Sequence, residues 1–225
     1  MKIIVTGASG LVGSAISRRL FASGAKLVIA GRNRQKLYNG GLDAESTSDT
    51  SPYAWSGDLR DESACRNLIE YSVRAMDGID VLINNAGVFH FSAFEELDHA
   101  AIAELMCINV LVPAYLTRLA LPYLKASKNA VVVNISSLAG QASLPGGAAY
   151  AASKWALQGL SHSIREELRD VSVRVCTISP CQVEVLHNHS TGTARTITPE
   201  CIANAVALLL AHTEGSAASL DLILH

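Results

Sequence analysis

Charge is scarce in this chain, and no excess of either sign compensates for it. Asp, Glu, Lys and Arg make up 17% of its 225 residues, and 18 basic against 20 acidic side chains leave a formal net charge of −2. That balance offers no electrostatic footing for nucleic acid or for an anionic membrane surface. Long apolar runs are missing as well: the nearest to a membrane span is 201–211, and Asn204 interrupts it. The five cysteines (Cys65, Cys107, Cys176, Cys181, Cys201) include no close pair and no Cys-x-x-Cys. Free thiols in a reducing compartment are the simplest account. Among seven histidines only His187-Asn188-His189 has anything like ligand spacing, with no third ligand in view, so no metal is expected. Met1-Lys2-Ile3-Ile4-Val5 runs directly into an apolar strand pattern without the layout of a signal peptide. A soluble cytoplasmic protein is the expectation. With no internal repeat and no domain-scale linker, so is a single domain over 1–225.

What the chain does contain is alternation. Short Val/Ile-rich runs stand at 3–6, 27–30, 81–84, 130–135, 173–178 and 220–224, with a weaker one near 53–55. Their unbroken apolar character fits strands covered on both faces, as in a parallel sheet. Helical patterns lie between them at about 12–23, 62–76, 99–125, 150–169 and 199–212. Thr198 before Pro199 reads as a helix start, and Pro113 inside the third pattern predicts a kink or an interrupted start there. The alternation predicts a doubly wound α/β sheet with helices on both faces. Two stretches read as irregular: 39–52, and the polar 181–198, a short candidate substrate loop.

Three local patterns carry chemistry. The first strand ends in Thr6-Gly7-Ala8-Ser9-Gly10-Leu11-Val12-Gly13 and opens a helix. Glycines there let the backbone approach a pyrophosphate, whose charge meets the helix N-terminus. After the second strand comes Ala30-Gly31-Arg32-Asn33-Arg34, without the carboxylate that would hold an unphosphorylated ribose diol. Arg32, assisted by Arg34, points instead to a 2′-phosphate and hence to NADP(H), with NAD(H) as the alternative. Finally, Tyr150 and Lys154 stand one helical turn apart, with Ser136 and Ser137 upstream. A phenol has a pKa of about 10, and a lysine on the same face is expected to lower it into the working range of an acid/base.

Together with Gly57-Asp58-Leu59, Asn84-Asn85-Ala86-Gly87, Asn109 and Ser179-Pro180, these motifs resemble the short-chain dehydrogenase/reductase family in its compact oxidoreductase branch. The resemblance runs from Lys2 to about Pro180. It implies one Rossmann-like domain of seven parallel strands, usually a homodimer or homotetramer. Carried over residue by residue, Asn109, Ser137, Tyr150 and Lys154 form the catalytic set. Tyr150 is the acid/base, Ser137 polarises the carbonyl, Lys154 holds the nicotinamide ribose and depresses the tyrosine, and Asn109 anchors a water. Gly7, Ser9, Gly10, Leu11, Val12, Gly13 and Arg32 fall on the cofactor. So do Asp58 and Leu59 beside the adenine, Asn85, Ala86 and Gly87 along its length, and Pro180 and Val183.

The chain also departs from the pattern. Its Thr-Gly-x-x-Gly-x-x-Gly spacing belongs to the family's extended branch. Cys181 and Val185 stand where glycine and a threonine are usual, and the loss of one neutral hydrogen bond of about 1 kcal/mol should weaken cofactor binding without abolishing it. The brief 181–198 segment implies an open site, for a bulky or carrier-borne carbonyl or alcohol. The ending Ser219-Leu220-Asp221-Leu222-Ile223-Leu224-His225 lacks the family's usual close, which leaves a dimer as well supported as a tetramer. Phe89, Phe91, Phe94, Leu144 and Trp155 are candidate apolar walls and His90 a candidate pocket residue. The expected activity is NADPH-dependent reduction of a ketone or aldehyde, or its reverse. The alternatives are an NADP-binding regulatory or scaffolding protein and an epimerase or dehydratase on a nucleotide sugar.

Overall fold

β1 (Lys2–Thr6) is buried from Ile3 onward, and alternate residues face opposite ways. Ile3 and Val5 enter one apolar cluster and Ile4 the other, so the strand needs helices on both sides. In a computed structural model of the protein, residues 1–38, 51–184, 196–211 and 220–225 are described. After β1 come α1 (Leu11–Ala22), β2 (Lys26–Gly31), a short α2 (Arg34–Tyr38), β3 (Tyr53–Ser56), α3 (Glu62–Met76) and β4 (Val81–Asn84). The second half runs through α4 (His99–Met106), α5 (Val112–Ala126), β5 (Ala130–Ile135), α6 (Ala148–Glu167) and β6 (Val173–Pro180). It closes with β7 (Gln182–Val183), β8 (Thr196–Ile197), α7 (Pro199–Ala211) and β9 (Asp221–Leu224).

Seven parallel strands form one sheet in the order β3-β2-β1-β4-β5-β6-β9, as the alternation of patterns predicted. Ile16 and Leu20 of α1, with Ile202, Val206 and Leu209 of α7, cover one face. Leu68 and Ile69 of α3, with Leu116 and Leu124 of α5, cover the other. The chain builds outward from β1 in one direction and from β4 in the other. Their C-terminal ends therefore diverge at a crevice, the place where α/β sheets of this kind receive ligands. The glycine turn after β1 and the Asn85-Ala86-Gly87 stretch after β4 are neighbours for that reason. The small β7–β8 ladder and α2 were not foreseen from the sequence.

The third helical pattern is interrupted as expected, but one turn before Pro113. Cys107–Leu111 forms a π-helical turn between α4 and α5. Proline has no N–H to give to the carbonyl four residues back, that of Asn109, so the regular ladder cannot continue through this point. One sequence reading needs correction. The continuous helix His99–Ala126, 28 residues, is long and apolar enough by length and composition to cross a membrane. No such window had been recognised, because Glu104, Asn109, Arg118 and Lys125 punctuate the run. Leu116, Ala120 and Leu124 pack it onto the sheet as a core helix, while Met106, Leu111 and Tyr123 remain exposed.

The edge strand β9 is pinned by its first residue. Asp221 accepts from Arg165 Nη1 at 2.9 Å and Nη2 at 2.5 Å, and from the Thr177 amide at 3.2 Å and its hydroxyl. Partial burial pushes the carboxyl up, but the Arg165 and Thr177 donors together outweigh it and bring the value down to about 2. A folded value below the unfolded one of about 3.9 means stability present above the unfolded value and lost as pH falls towards 2. Asp221→Asn should therefore lower the urea midpoint at neutral pH and flatten its decline between roughly pH 4 and 2. An acid-dependence identical to that of the wild type would show that the cluster does not hold β9.

Candidate active site

Close packing at two glycines shapes the first side of the crevice. Gly7 has φ +64°, and a Cβ there would meet the Ala86 Cα at 2.8 Å. One on Gly13 would lie 2.3 Å from the Gly7 carbonyl oxygen and 2.6 Å from Asn85 Nδ2. Gly10 caps α1 without a side-chain hydrogen bond, and the first turn carries no acid. The helix thus offers unsatisfied N–H groups and the positive end of its dipole to the crevice. Across from it, Asn85 Nδ2 donates to the carbonyls of Thr6 at 2.9 Å and Gly7 at 3.2 Å. The Thr6 hydroxyl accepts from the amides of Asn85 and Ala86, both at 3.0 Å. These bonds stitch the glycine turn to the end of β4.

Beyond the turn, Arg32 is exposed and lines the cleft. Arg34 is engaged elsewhere. Its Nε donates to the Tyr38 hydroxyl at 3.0 Å, and its guanidinium stacks 5.8 Å from that ring's centre. The assisting role expected of Arg34 is therefore not supported by its position. Asp58 and Leu59 also line the cleft. The Asp58 carboxylate is clamped by Arg60, whose Nε lies 3.0 Å from both oxygens and Nη2 2.5 Å from one. That clamp holds the Asp58 carboxyl below its ordinary value.

At the other end, α6 begins two residues earlier than expected and carries Tyr150 in its first turn. Lys154 is buried, and its Nζ donates to the Ile135 carbonyl at 3.0 Å. Burial brings its ammonium down to about 8. The Tyr150 hydroxyl is pushed above its usual value by burial, against which a hydrogen bond with Ser137 pulls down. The expectation that Lys154 depresses the tyrosine is not met in this arrangement. Its Nζ sits 5.7 Å from the ring centre and is turned to a backbone carbonyl, so desolvation outweighs its charge. Asn109, in the π-helical turn, uses its carboxamide in both senses on Val88, accepting from the amide at 2.9 Å and donating to the carbonyl at 3.0 Å. A further donation reaches Ser153 Oγ at 3.0 Å. Its side chain is thus a clamp on the β4 loop and forms no part of the cleft wall.

Apart from Arg34, every residue expected at the cofactor, and Ser137 with them, lines a single cleft of about 620 Å³. The sequence profile of the short chain dehydrogenase family matches residues 1–196. The chain belongs to that family. A solved short-chain oxidoreductase of metagenomic origin, in complex with NADP, is 34% identical, with a TM-score of 0.85 over 100% of this chain and 97% of its own. Dehydrogenase/reductase SDR family member 7B of Rattus norvegicus is 33% identical over 183 residues, which take in 79% of this chain but only 56% of the rat protein. An uncharacterized oxidoreductase of Methylorubrum extorquens is 30% identical over 191 residues, 85% of this chain and 76% of the relative.

Several wall residues of this short-chain dehydrogenase cleft escaped the motifs. Val88, Ile108, Ile135 and Ile202 are ordinary apolar residues in sequence, brought to the cleft from four different elements or loops. Ser136 also lines it, and its buried Oγ has no partner among the described residues. Of the candidate apolar walls, Phe89 lies in the cleft, whereas Leu144 folds over Gly147 and Phe91, Phe94 and Trp155 are exposed outside the lining. His90 is not a cleft residue, because its Nε2 pairs with Glu104 of α4 at 3.1 Å. Cys181 borders the cleft as placed by the sequence, while Val185, His187 and His189 lie outside the described residues.

Proposed function

We propose that the protein is an NADP(H)-dependent oxidoreductase that reduces a ketone or aldehyde to an alcohol, or runs the reverse reaction. The observation that carries this reading is one cleft with a phosphate cradle and Arg32 at one end and Ser137, Tyr150 and Lys154 at the other. The residues fit such a cofactor. The space that a Cβ on Gly7 or Gly13 would fill gives backbone access to a pyrophosphate, and the uncapped α1 N-terminus meets its charge. Arg32 would hold a 2′-phosphate, Asp58 and Leu59 would flank the adenine, and Lys154 would hold the nicotinamide ribose. The metagenomic relative in complex with NADP supports the same choice of cofactor.

When bound, the reduced nicotinamide supplies the hydride. Tyr150 gives its phenolic proton to the carbonyl oxygen, and the Ser137 hydroxyl donates a hydrogen bond to the same atom as charge develops. Asn109 holds Val88 and so the loop beside Tyr150. The exposed apolar residues Met106, Leu111 and Tyr123, with Trp155 on α6, support a homo-oligomer. Titration of the purified protein with NADPH and NADH, read by quenching of Trp55 and Trp155, tests the reading. NADPH should bind more tightly. Binding of neither would sink the enzyme in favour of a scaffold that has kept only the fold.

A further inference from the structure

Phe89 in the cleft wall and Phe91 just outside it form a feature that the reaction alone does not require. Phe89 meets Tyr150 edge to face, with ring centres 4.9 Å apart and planes at 82°. Phe91 stacks beside Phe89, 6.0 Å away and 21° from parallel. The two side chains are 57% and 62% exposed. Neither is a loose loop ornament. A Cβ on Gly146, whose φ is +75°, would be 2.7 Å from the far end of the Phe91 ring, so the bare glycine is what lets that ring approach the segment leading into α6. The Ser92 amide donates to the Gly146 carbonyl at 2.8 Å and ties the two segments together. The result is an aromatic platform that begins at the hydroxyl-bearing ring and runs outward from it. Exposed aromatic surface of this kind marks a binding site more often than an accident.

Charge at this end is equally informative. Arg32, Asp58 and Lys154 are the charged residues of the cleft wall among those described. Arg32 and Asp58 belong to the glycine-turn half, and Lys154 is buried with its ammonium on the Ile135 carbonyl. His90, between the two phenylalanines in sequence, is drawn off to Glu104. Nothing described beside Tyr150 therefore pairs with a carboxylate or phosphate on a substrate. Resting on the oxidoreductase reading above, we infer that the substrate is a neutral carbonyl compound bearing a flat apolar group, an aryl ketone or aldehyde. Its ring is seated on Phe89 and Phe91, and its oxygen lies between Tyr150 and Ser137. Offset or edge-to-face ring contact favours an aromatic group over an aliphatic one of equal size.

The test is a ratio, so that effects on the chemical step cancel. With saturating NADPH, kcat/KM is compared for an aryl methyl ketone, a small aliphatic ketone, and the same aryl ketone bearing a ring carboxylate. The aryl ketone should exceed each of the others by about tenfold or more. In Phe89→Ala the aryl-to-aliphatic ratio should fall by about tenfold, and in Phe89→Tyr it should recover. NADPH affinity serves as the check that each variant is folded. Equal turnover of aryl and aliphatic ketones, preference for the carboxylate, or a ratio unmoved in both Phe89→Ala and Phe91→Ala overturns the inference and leaves the enzyme reading intact. An unmoved ratio with loss of self-association in Phe91→Ala would assign the platform to a second copy of the chain. NADPH binding without turnover of any carbonyl overturns the enzyme reading, and this inference with it.

Discussion

Tyr150→Phe is expected to lower kcat for carbonyl reduction by about 10² to 10⁴, while the dissociation constant for NADPH stays within about twofold. The loss corresponds to about 3 to 5 kcal/mol of transition-state stabilisation. The substitution removes one oxygen and keeps the ring, so the edge contact with Phe89 and the packing in the first turn of α6 survive. Ser137 cannot replace it, because an aliphatic hydroxyl is far too weak an acid. The pH profile carries a second signature. Burial holds the phenol above its usual value, so the neutral form needed to protonate a carbonyl persists throughout the neutral range. Oxidation of an alcohol needs the phenolate and should climb with pH. Reduction should hold through the neutral range and weaken through cofactor affinity as pH passes about 8, where the buried Lys154 loses its charge. Retained turnover in Tyr150→Phe would remove the proton donor from the mechanism. A reductive rate rising with pH would reverse the assignment of its protonated form.

Arg32→Ala is expected to raise the dissociation constant for NADPH by about 10- to 100-fold, with NADH changed by no more than about twofold. A charge-assisted hydrogen bond to a phosphate contributes roughly 1.5 to 3 kcal/mol, and the unphosphorylated cofactor has nothing there to lose. The engagement of the neighbouring cations is why so large an effect is expected of one residue. Arg60 is committed to Asp58 and also reaches Glu104 at 3.5 Å, and Arg34 is folded onto Tyr38. Arg32 is the one guanidinium in the cleft wall among the described residues. Arg32→Lys should recover part of the loss, since it restores the charge but not the planar fork. Equal weakening of both cofactors would show that the variant damages the turn after β2 and does not remove a phosphate clamp.

The candidate site was readable wherever its chemistry depends on near neighbours along the chain. The glycine turn is visible because Gly7 and Gly13 are demanded by contacts within one strand–helix connection and the loop beside it. The Tyr150–Lys154 spacing is one helical turn, whatever the rest of the fold does. Asn84 shows the limit. In sequence it is one member of Asn84-Asn85-Ala86-Gly87, yet its Nδ2 donates to Asn134 Oδ1 at 2.8 Å, and Asn134 Nδ2 donates to Ser161 Oγ at 2.8 Å. This buried polar ladder joins β4, β5 and α6, and Thr117 of α5 contributes its hydroxyl 3.3 Å from Asn84 Nδ2. Its members are separated by 27 to 50 positions, and no local pattern announces them.

By itself the amino-acid sequence determined the parallel α/β architecture, the tight glycine turn after β1 and the Tyr150–Lys154 spacing. Each of these follows from a short-range rule: apolar period, backbone freedom at glycine, or the pitch of a helix. Tertiary structure alone decided the sign of the Tyr150 shift, the use of Asn109 as a clamp on Val88, the diversion of His90 to Glu104, and the Phe89–Phe91 platform. Those outcomes are set by burial and by distances between residues far apart in the chain. Both come into being only when β4, β5 and α6 meet at the crevice.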